Sequence, residues 1–183
     1  MRLVELAHSK IKEIVNPGDL CIDATAGNGH DSLFLATEVG PEGFVYGFDI
    51  QESAIMKTAE KLKRNKLSDR LKLIQTSHTE IKSFVDEKHQ GNIQVAMFNL
   101  GYLPGGNHQV VTIAQTTVHA LTSAYSVLKW GGMITVLCYR GHIGGNHETN
   151  EVINLCEKKN WNYELCEGTR NSQSPILLCI NKI

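Results

Sequence analysis

Leu20 to Phe34 reads L-C-I-D-A-T-A-G-N-G-H-D-S-L-F and carries the chain from an apolar strand, through a glycine loop, into a helix. Leu20, Cys21 and Ile22 form a short apolar run ending at Asp23, and Leu33, Phe34 and Leu35 open a helical pattern. Gly27 and Gly29 therefore fall where strand becomes helix, the place at which an α/β protein holds a nucleotide-like ligand. Glycines let the backbone approach a ligand closely, and the first free N–H groups of the helix attract an anion, here a phosphate or a carboxylate. A plain strand-to-helix turn is the alternative.

A dinucleotide fingerprint requires G-x-G-x-x-G, and Ser32 stands where its third glycine belongs. The acid-terminated strand followed by Ala-Thr-Ala-Gly-Asn-Gly instead resembles the first motif of class I methyltransferases, whose loop wraps the methionine part of S-adenosylmethionine. That resemblance implies a methionine carboxylate at the loop amides near Asn28 and Gly29, with Asp23 or a loop carbonyl accepting from the ammonium.

The next strand, Phe44 to Asp49, again ends in an acid, about twenty residues beyond the glycine loop. At that distance one βαβ unit brings a second strand end beside the first. There a carboxylate can accept from both ribose hydroxyls of an adenosine, with Gln51 adding a neutral contact; a helix cap is the competing role for Asp49. A carboxylate here would also repel a 2′-phosphate. A third strand, Leu71 to Gln75, leads to Ser77 and His78, which in a doubly wound sheet border the adenine; Ser77 can equally cap the helix that follows.

The second informative stretch follows a fourth strand, Asn92 to Phe98, and reads N-L-G-Y-L-P-G-G-N-H from Asn99. Asn99 and Tyr102 match the spacing of the N-P-P-Y motif of methyltransferases that act on amino groups, with Leu100-Gly101 replacing both prolines. The residue types suit the chemistry: methyl transfer to a neutral amine is an in-line displacement in which the protein mainly positions the reactants. An Asn99 oxygen can accept an N–H from the amine, and Tyr102 can stack on a base. A glycine-rich connection with a buried tyrosine is the alternative.

A helix from Val110 to Lys129 and a fifth strand from Met133 to Tyr139 are predicted next. The polar glycine loop after that strand offers Tyr139, Arg140, His142 and His147 as substrate contacts, without the tight spacing that a metal site with Glu148 would need. A helix over 148–160 and two strands, within 161–169 and 175–182, complete the chain. The expected fold is α/β, Rossmann-like: a doubly wound, mostly parallel seven-stranded sheet ending in an antiparallel hairpin, in one domain spanning 1–183. Leu3, Ala7, Ile11 and Ile14 predict an opening amphipathic helix, either over the ligand mouth or against another subunit.

The 183 residues are 42% hydrophobic and 20% charged, with a net charge of -1. A polynucleotide partner must therefore meet a local basic face; the most basic part of the chain is the segment carrying Lys57, Lys61, Lys63, Arg64 and Lys66, followed by Arg70 and Lys72, with a solvated helix face as the alternative. Five cysteines, odd in number and without C-x-x-C, read as buried hydrophobes in a reducing compartment. A charged N-terminus and no long apolar run predict a cytoplasmic protein that neither enters nor crosses a membrane.

Together D-A-T-A-G-N-G-H-D, G-F-D-I-Q, T-S-H, F-N-L-G-Y-L-P-G-G-N-H and Y-R-G-H-I-G-G-N-H-E resemble one family over nearly the whole chain. It comprises small bacterial proteins formerly labelled ribosomal-RNA methylases and now understood as tRNA 5-aminomethyl-2-thiouridine methyltransferases. The resemblance implies S-adenosylmethionine as cofactor, the tRNA anticodon stem-loop as partner, a homodimer, and N-methylation at the wobble uridine. It carries the cofactor role to Asp23, Thr25, Gly27, Asn28, Gly29, Asp31, Asp49, Gln51, Ser77 and His78. The target-amine role goes to Asn99 and Tyr102, and substrate-loop roles to Tyr139 and His142. An rRNA or small-molecule methyltransferase, or a non-catalytic cofactor-binding protein, are the competing readings.

Overall fold

The computed structural model describes residues 2–101, 111–141, 143–167 and 173–183. In chain order the elements are α1 (Leu3–Lys12), β1 (Leu20–Asp23), α2 (His30–Glu38), β2 (Phe44–Asp49), α3 (Glu52–Arg64), β3 (Leu71–Gln75) and α4 (Ile81–Phe84). They continue with β4 (Ile93–Leu100), α5 (Ala114–Val127), β5 (Leu128–Cys138), α6 (Gly145–Lys159), β6 (Asn162–Glu167) and β7 (Ile176–Asn181). The strands form one sheet in the order β3-β2-β1-β4-β5-β7-β6, parallel from β3 to β5, with β7 antiparallel to both of its neighbours. This is the expected doubly wound sheet with its terminal antiparallel hairpin.

Strict alternation along the central strands builds two cores, because successive side chains leave opposite faces of a sheet. Ile22, Tyr46, Ala96, Phe98, Leu178 and Ile180 point to one face, where α4, α5 and α6 cover them with Ile81, Leu121 and Val152. Cys21, Val45, Val95, Met97, Leu177 and Cys179 point to the other, beneath Ile11 of α1, Leu35 of α2 and Leu62 of α3. Burial on both faces explains why these strands read as continuous apolar runs.

The strand order reverses between β1 and β4, which opens a crevice at their carboxyl ends. Register places Asp23 beside Met97, so Asn99 projects two residues beyond the end of β1. β4 runs to Leu100, making Asn99 part of the strand rather than of the loop expected after Phe98.

The largest departure from the sequence reading lies at the α5–β5 boundary. The helix ends at Val127, and the chain enters the sheet at Leu128 instead of Met133. Ile93 pairs with Leu128 and Val95 with Met133, so Lys129 to Gly132 bulge out of register. Gly131, at φ 79°, donates its N–H to the Lys182 carbonyl, and Lys182 N–H donates back to Gly132. Hydrogen bonds to a distant strand thus replace the final helical turn that periodicity suggested. After β3 the expected helix is reduced to a 3₁₀ turn and the single turn of α4.

The glycine loop packs directly on α3. Gly29 is left-handed at φ 73°, and a Cβ there would lie 2.9 Å from both Cα and Oγ1 of Thr58. Gly29→Ala should therefore cost about 1–3 kcal/mol through backbone strain and overlap. Urea unfolding should register it as a lower midpoint at unchanged slope; a wild-type midpoint would mean that α3 yields freely.

Candidate functional site

The glycine loop is held from beneath, beside and above. Beneath it, Asp23 is fully buried; it accepts from Ser32 Oγ at 2.5 Å and from Thr25 N–H at 3.1 Å. Burial first, then the nearby Asp31 charge, pushes the Asp23 carboxyl well above the ordinary carboxylate range. Beside the loop, Asp49 accepts from Gly27 N–H through one oxygen and from Gln51 N–H through the other, both at 2.9 Å. Above it, buried Thr58 donates its hydroxyl to the Gly27 carbonyl at 3.2 Å. Gly27 (φ 54°) and Gly29 both use left-handed backbone, and Gly29 caps α2.

A cleft of about 1870 Å³ opens over this loop. Thr25, Gly27, Asn28, Asp31, Asp49, Gln51, Ser77, His78, Asn99 and Tyr139 all line it, whereas Asp23 and Gly29 lie one layer behind its wall. Leu3, Val4, Leu6 and His8 of α1 form another wall, so the opening helix lies over the ligand mouth. Tyr102 and His142 lie outside the described residues.

At the far end, Ser77 accepts from both the N–H and the hydroxyl of Thr79, at 3.2 and 3.0 Å, and so acts as a cap as well as a wall. His78 is 9% exposed and tilts against Phe98, with ring centroids 5.9 Å apart. Burial lowers it from 6.5 to about 4, against a hydrogen bond to the Ala24 backbone, so its imidazole is neutral at physiological pH.

Asn99 sits at the floor of the cleft. Its N–H donates to Thr25 Oγ1 at 2.8 Å and its side-chain nitrogen donates to Asp31 Oδ2, while its Oδ1 is buried without a partner. A buried acceptor left open is costly unless a ligand supplies the donor. Asp31 in turn receives His8 Nε2 at 2.7 Å on its other oxygen. Sequence reading missed His8 and Thr58. Both act across large separations in the chain, and neither stands in a motif.

The wall beyond Asn99 is braced by Glu148, 3% exposed, which accepts from Thr112 at 2.9 Å and from Thr117 at 2.6 Å. Arg140 is tied by Nε to the Ser174 carbonyl at 2.6 Å. Among the described residues no cluster of three metal-ligating side chains occurs, and no helix is long and apolar enough to cross a membrane. The site thus combines a glycine cradle, a ring of hydrogen-bonded carboxylates and one open amide oxygen. That set suits a nucleoside ligand carrying a cation, beside an acceptor with an N–H.

Comparisons with known proteins agree with this geometry. Residues 45–182 match the family model described as "Putative rRNA methylase". The chain is 38% identical over 159 residues to the chloroplastic tRNA (mnm(5)s(2)U34)-methyltransferase of Arabidopsis thaliana, covering 82% of this chain and 57% of that protein. It spans little more than half the length of that relative. The crystal structure of an rRNA methylase homologue from Clostridium thermocellum superposes with a TM-score of 0.92 at 39% identity, over 98% of this chain and 97% of that one. A methyltransferase homologue from Streptococcus mutans, solved in complex with SAH, gives 0.87 at 32% identity over 100% and 99%. The sheet is thus that of a class I methyltransferase, and the chain belongs to the rRNA methylase family.

Proposed function

We propose that the protein, as one domain over residues 1–183, is an S-adenosylmethionine-dependent tRNA methyltransferase acting on wobble 5-aminomethyl-2-thiouridine. It N-methylates the 5-aminomethyl group to give 5-methylaminomethyl-2-thiouridine and S-adenosylhomocysteine. The observation that supports this reading is the buried, unpartnered Oδ1 of Asn99 in the lining of the cleft, an acceptor whose chemistry suits an amine N–H. The Arabidopsis relative's name supports the choice of tRNA.

S-adenosylmethionine, when bound, supplies an electrophilic methyl group on a sulfonium. Asp49 retains lone pairs for the ribose hydroxyls after serving Gly27 and Gln51, and Gln51 adds a neutral contact. The loop at Thr25, Gly27 and Asn28, with Asp31, takes the methionine end, while Asp23 and Gly29 hold the loop in shape. Ser77 and neutral His78 border the adenine. Asn99 accepts one amine N–H and so turns the nitrogen lone pair toward the methyl group; the N–C bond forms as the C–S bond breaks, and the amine's proton passes to water. Tyr102 stacks the target base, and Tyr139 with His142 contacts the substrate loop, as the family resemblance implies.

With a net charge of -1, the anticodon stem-loop must meet a local basic face. Lys61 of α3 lies 3.1 Å from the ring of His30, which lines the cleft, so the lysine-rich helix reaches the rim. Free cysteines suit a reducing cytoplasm, and the family resemblance supports a homodimer.

Methyl transfer from labelled cofactor should mark tRNA that lacks the terminal methyl and leave fully modified tRNA and ribosomal RNA unlabelled. Label on ribosomal RNA alone would overturn the wobble-uridine reading, and cofactor binding with no acceptor would leave a binding protein. Asn99→Ala should lower turnover at least about tenfold with cofactor affinity nearly unchanged. Asp49→Ala should weaken cofactor binding about 10- to 100-fold, read by calorimetry.

His78 adds a pH signature. Its depressed value makes the folded state bind fewer protons than the unfolded state, so its contribution to stability is full above pH 6.5 and is lost as pH falls toward 4. The stability difference between wild type and His78→Gln should shrink from about pH 7 to about pH 5. A constant difference, or an NMR titration of His78 near 6.5, would contradict the burial argument.

A further inference from the structure

We propose that His8, acting through Asp31, fixes the Asn99 amide with its oxygen toward the acceptor, which makes His8 a positioning residue for methyl transfer and gives Asp31 that task besides its place at the methionine end. The inference rests on the reading that Asn99 meets the acceptor amine. An asparagine amide is nearly symmetric in shape, so its two ends exchange by a half-turn unless the surroundings distinguish oxygen from nitrogen. At Asn99 the distinction comes from Asp31. Its Oδ2 receives the amide nitrogen, and a flipped amide would set two oxygens against each other. The amide oxygen is thereby turned away from Asp31 and left as the open acceptor.

Asp31 can make this choice only if it is itself held. Its second oxygen takes the Nε2–H of His8 at 2.7 Å. The His8 ring stacks on Phe34, with centroids 3.8 Å apart and planes 7° from parallel, which orients the nitrogen. The side chains of Asp31 and His8 are 8% and 23% exposed, so water competes weakly for the link. α1 is held in place by buried Ala7 and Ile11 and by the Lys10–Glu164 ion pair at 2.8 Å. The Asn99 backbone is fixed separately by its N–H to Thr25 Oγ1. Three elements that are distant in sequence, α1, α2 and β4, thus meet in one hydrogen-bonded chain ending at the acceptor position.

Two substitutions separate this hydrogen bond from simple packing. His8→Phe keeps a ring on Phe34 and removes the donor, whereas His8→Gln restores an N–H donor and removes the ring. With undermethylated tRNA as acceptor, His8→Phe should lower kcat about tenfold while the tRNA KM stays within about twofold and the calorimetric cofactor affinity, which Asp31 also serves, falls by no more than about threefold; His8→Gln should recover most of the loss. Wild-type kcat in His8→Phe, equal losses in both variants, or a loss confined to cofactor affinity would overturn the proposal. NMR provides a reading that does not need turnover. The Asn99 side-chain NH₂ pair, assigned by its absence in Asn99→Ala, should be shifted well away from the positions of a solvent-exposed asparagine in wild type and His8→Gln and should move toward them in His8→Phe. An unchanged pair in His8→Phe would also overturn the proposal. If wild type fails to methylate this tRNA, the substrate reading falls and the amide signals alone decide the role of His8.

Discussion

Three carboxylates surround one glycine loop, and the site depends on keeping each of them in hydrogen bonds. Asp23 is satisfied by Ser32 and Thr25, Asp49 by Gly27 and Gln51, and Asp31 by His8 and Asn99. Such groups are expensive when buried and unpaired, so the partners are constrained as tightly as the acids. Each pair also ties together separate parts of the chain. Asp49 joins β2 to the loop, Asp31 joins α2 to both α1 and β4, and Asp23 braces the loop against the start of α2. The cradle is therefore fixed by the electrostatics of its own acids, and a ligand finds it largely shaped.

The fold was legible wherever local pattern coincides with local structure. β2 and β3 have the bounds that the sequence suggested, because apolar runs framed by turn residues have no competing use. The α5–β5 boundary was not legible. Its strand is fixed by Lys182 and by a bulge against β4, and neither contact leaves a mark on the periodicity around Lys129. Asn99 is visible in the sequence as chemistry but not as strand, because the polar residue interrupts an apolar run whose strand continues to Leu100.

The same distinction applies within the site. Gly27, Gly29 and Asp49 stand in recognisable spacing because a strand–loop–helix unit imposes it. His8 and Thr58 reach the site from helices whose register against the sheet is set by core packing at Ile11 and Leu62. A histidine one residue beyond a buried alanine looks in sequence like any half-exposed helical residue. Only the assembled sheet brings it to Asp31.

The position of β7 between β5 and β6 bears on how the molecule is made. Among the described residues β6 pairs only with β7, and β7 is the later of the two in the chain. During synthesis β1 to β5 can join the sheet in the order they emerge, but β6 has no edge to join until Ile176 to Asn181 emerges and inserts beside β5. The wall that holds Arg140 through Ser174 therefore forms only once β7 has inserted, and until then the unpaired edge of β5 is a point of vulnerability to aggregation on the ribosome.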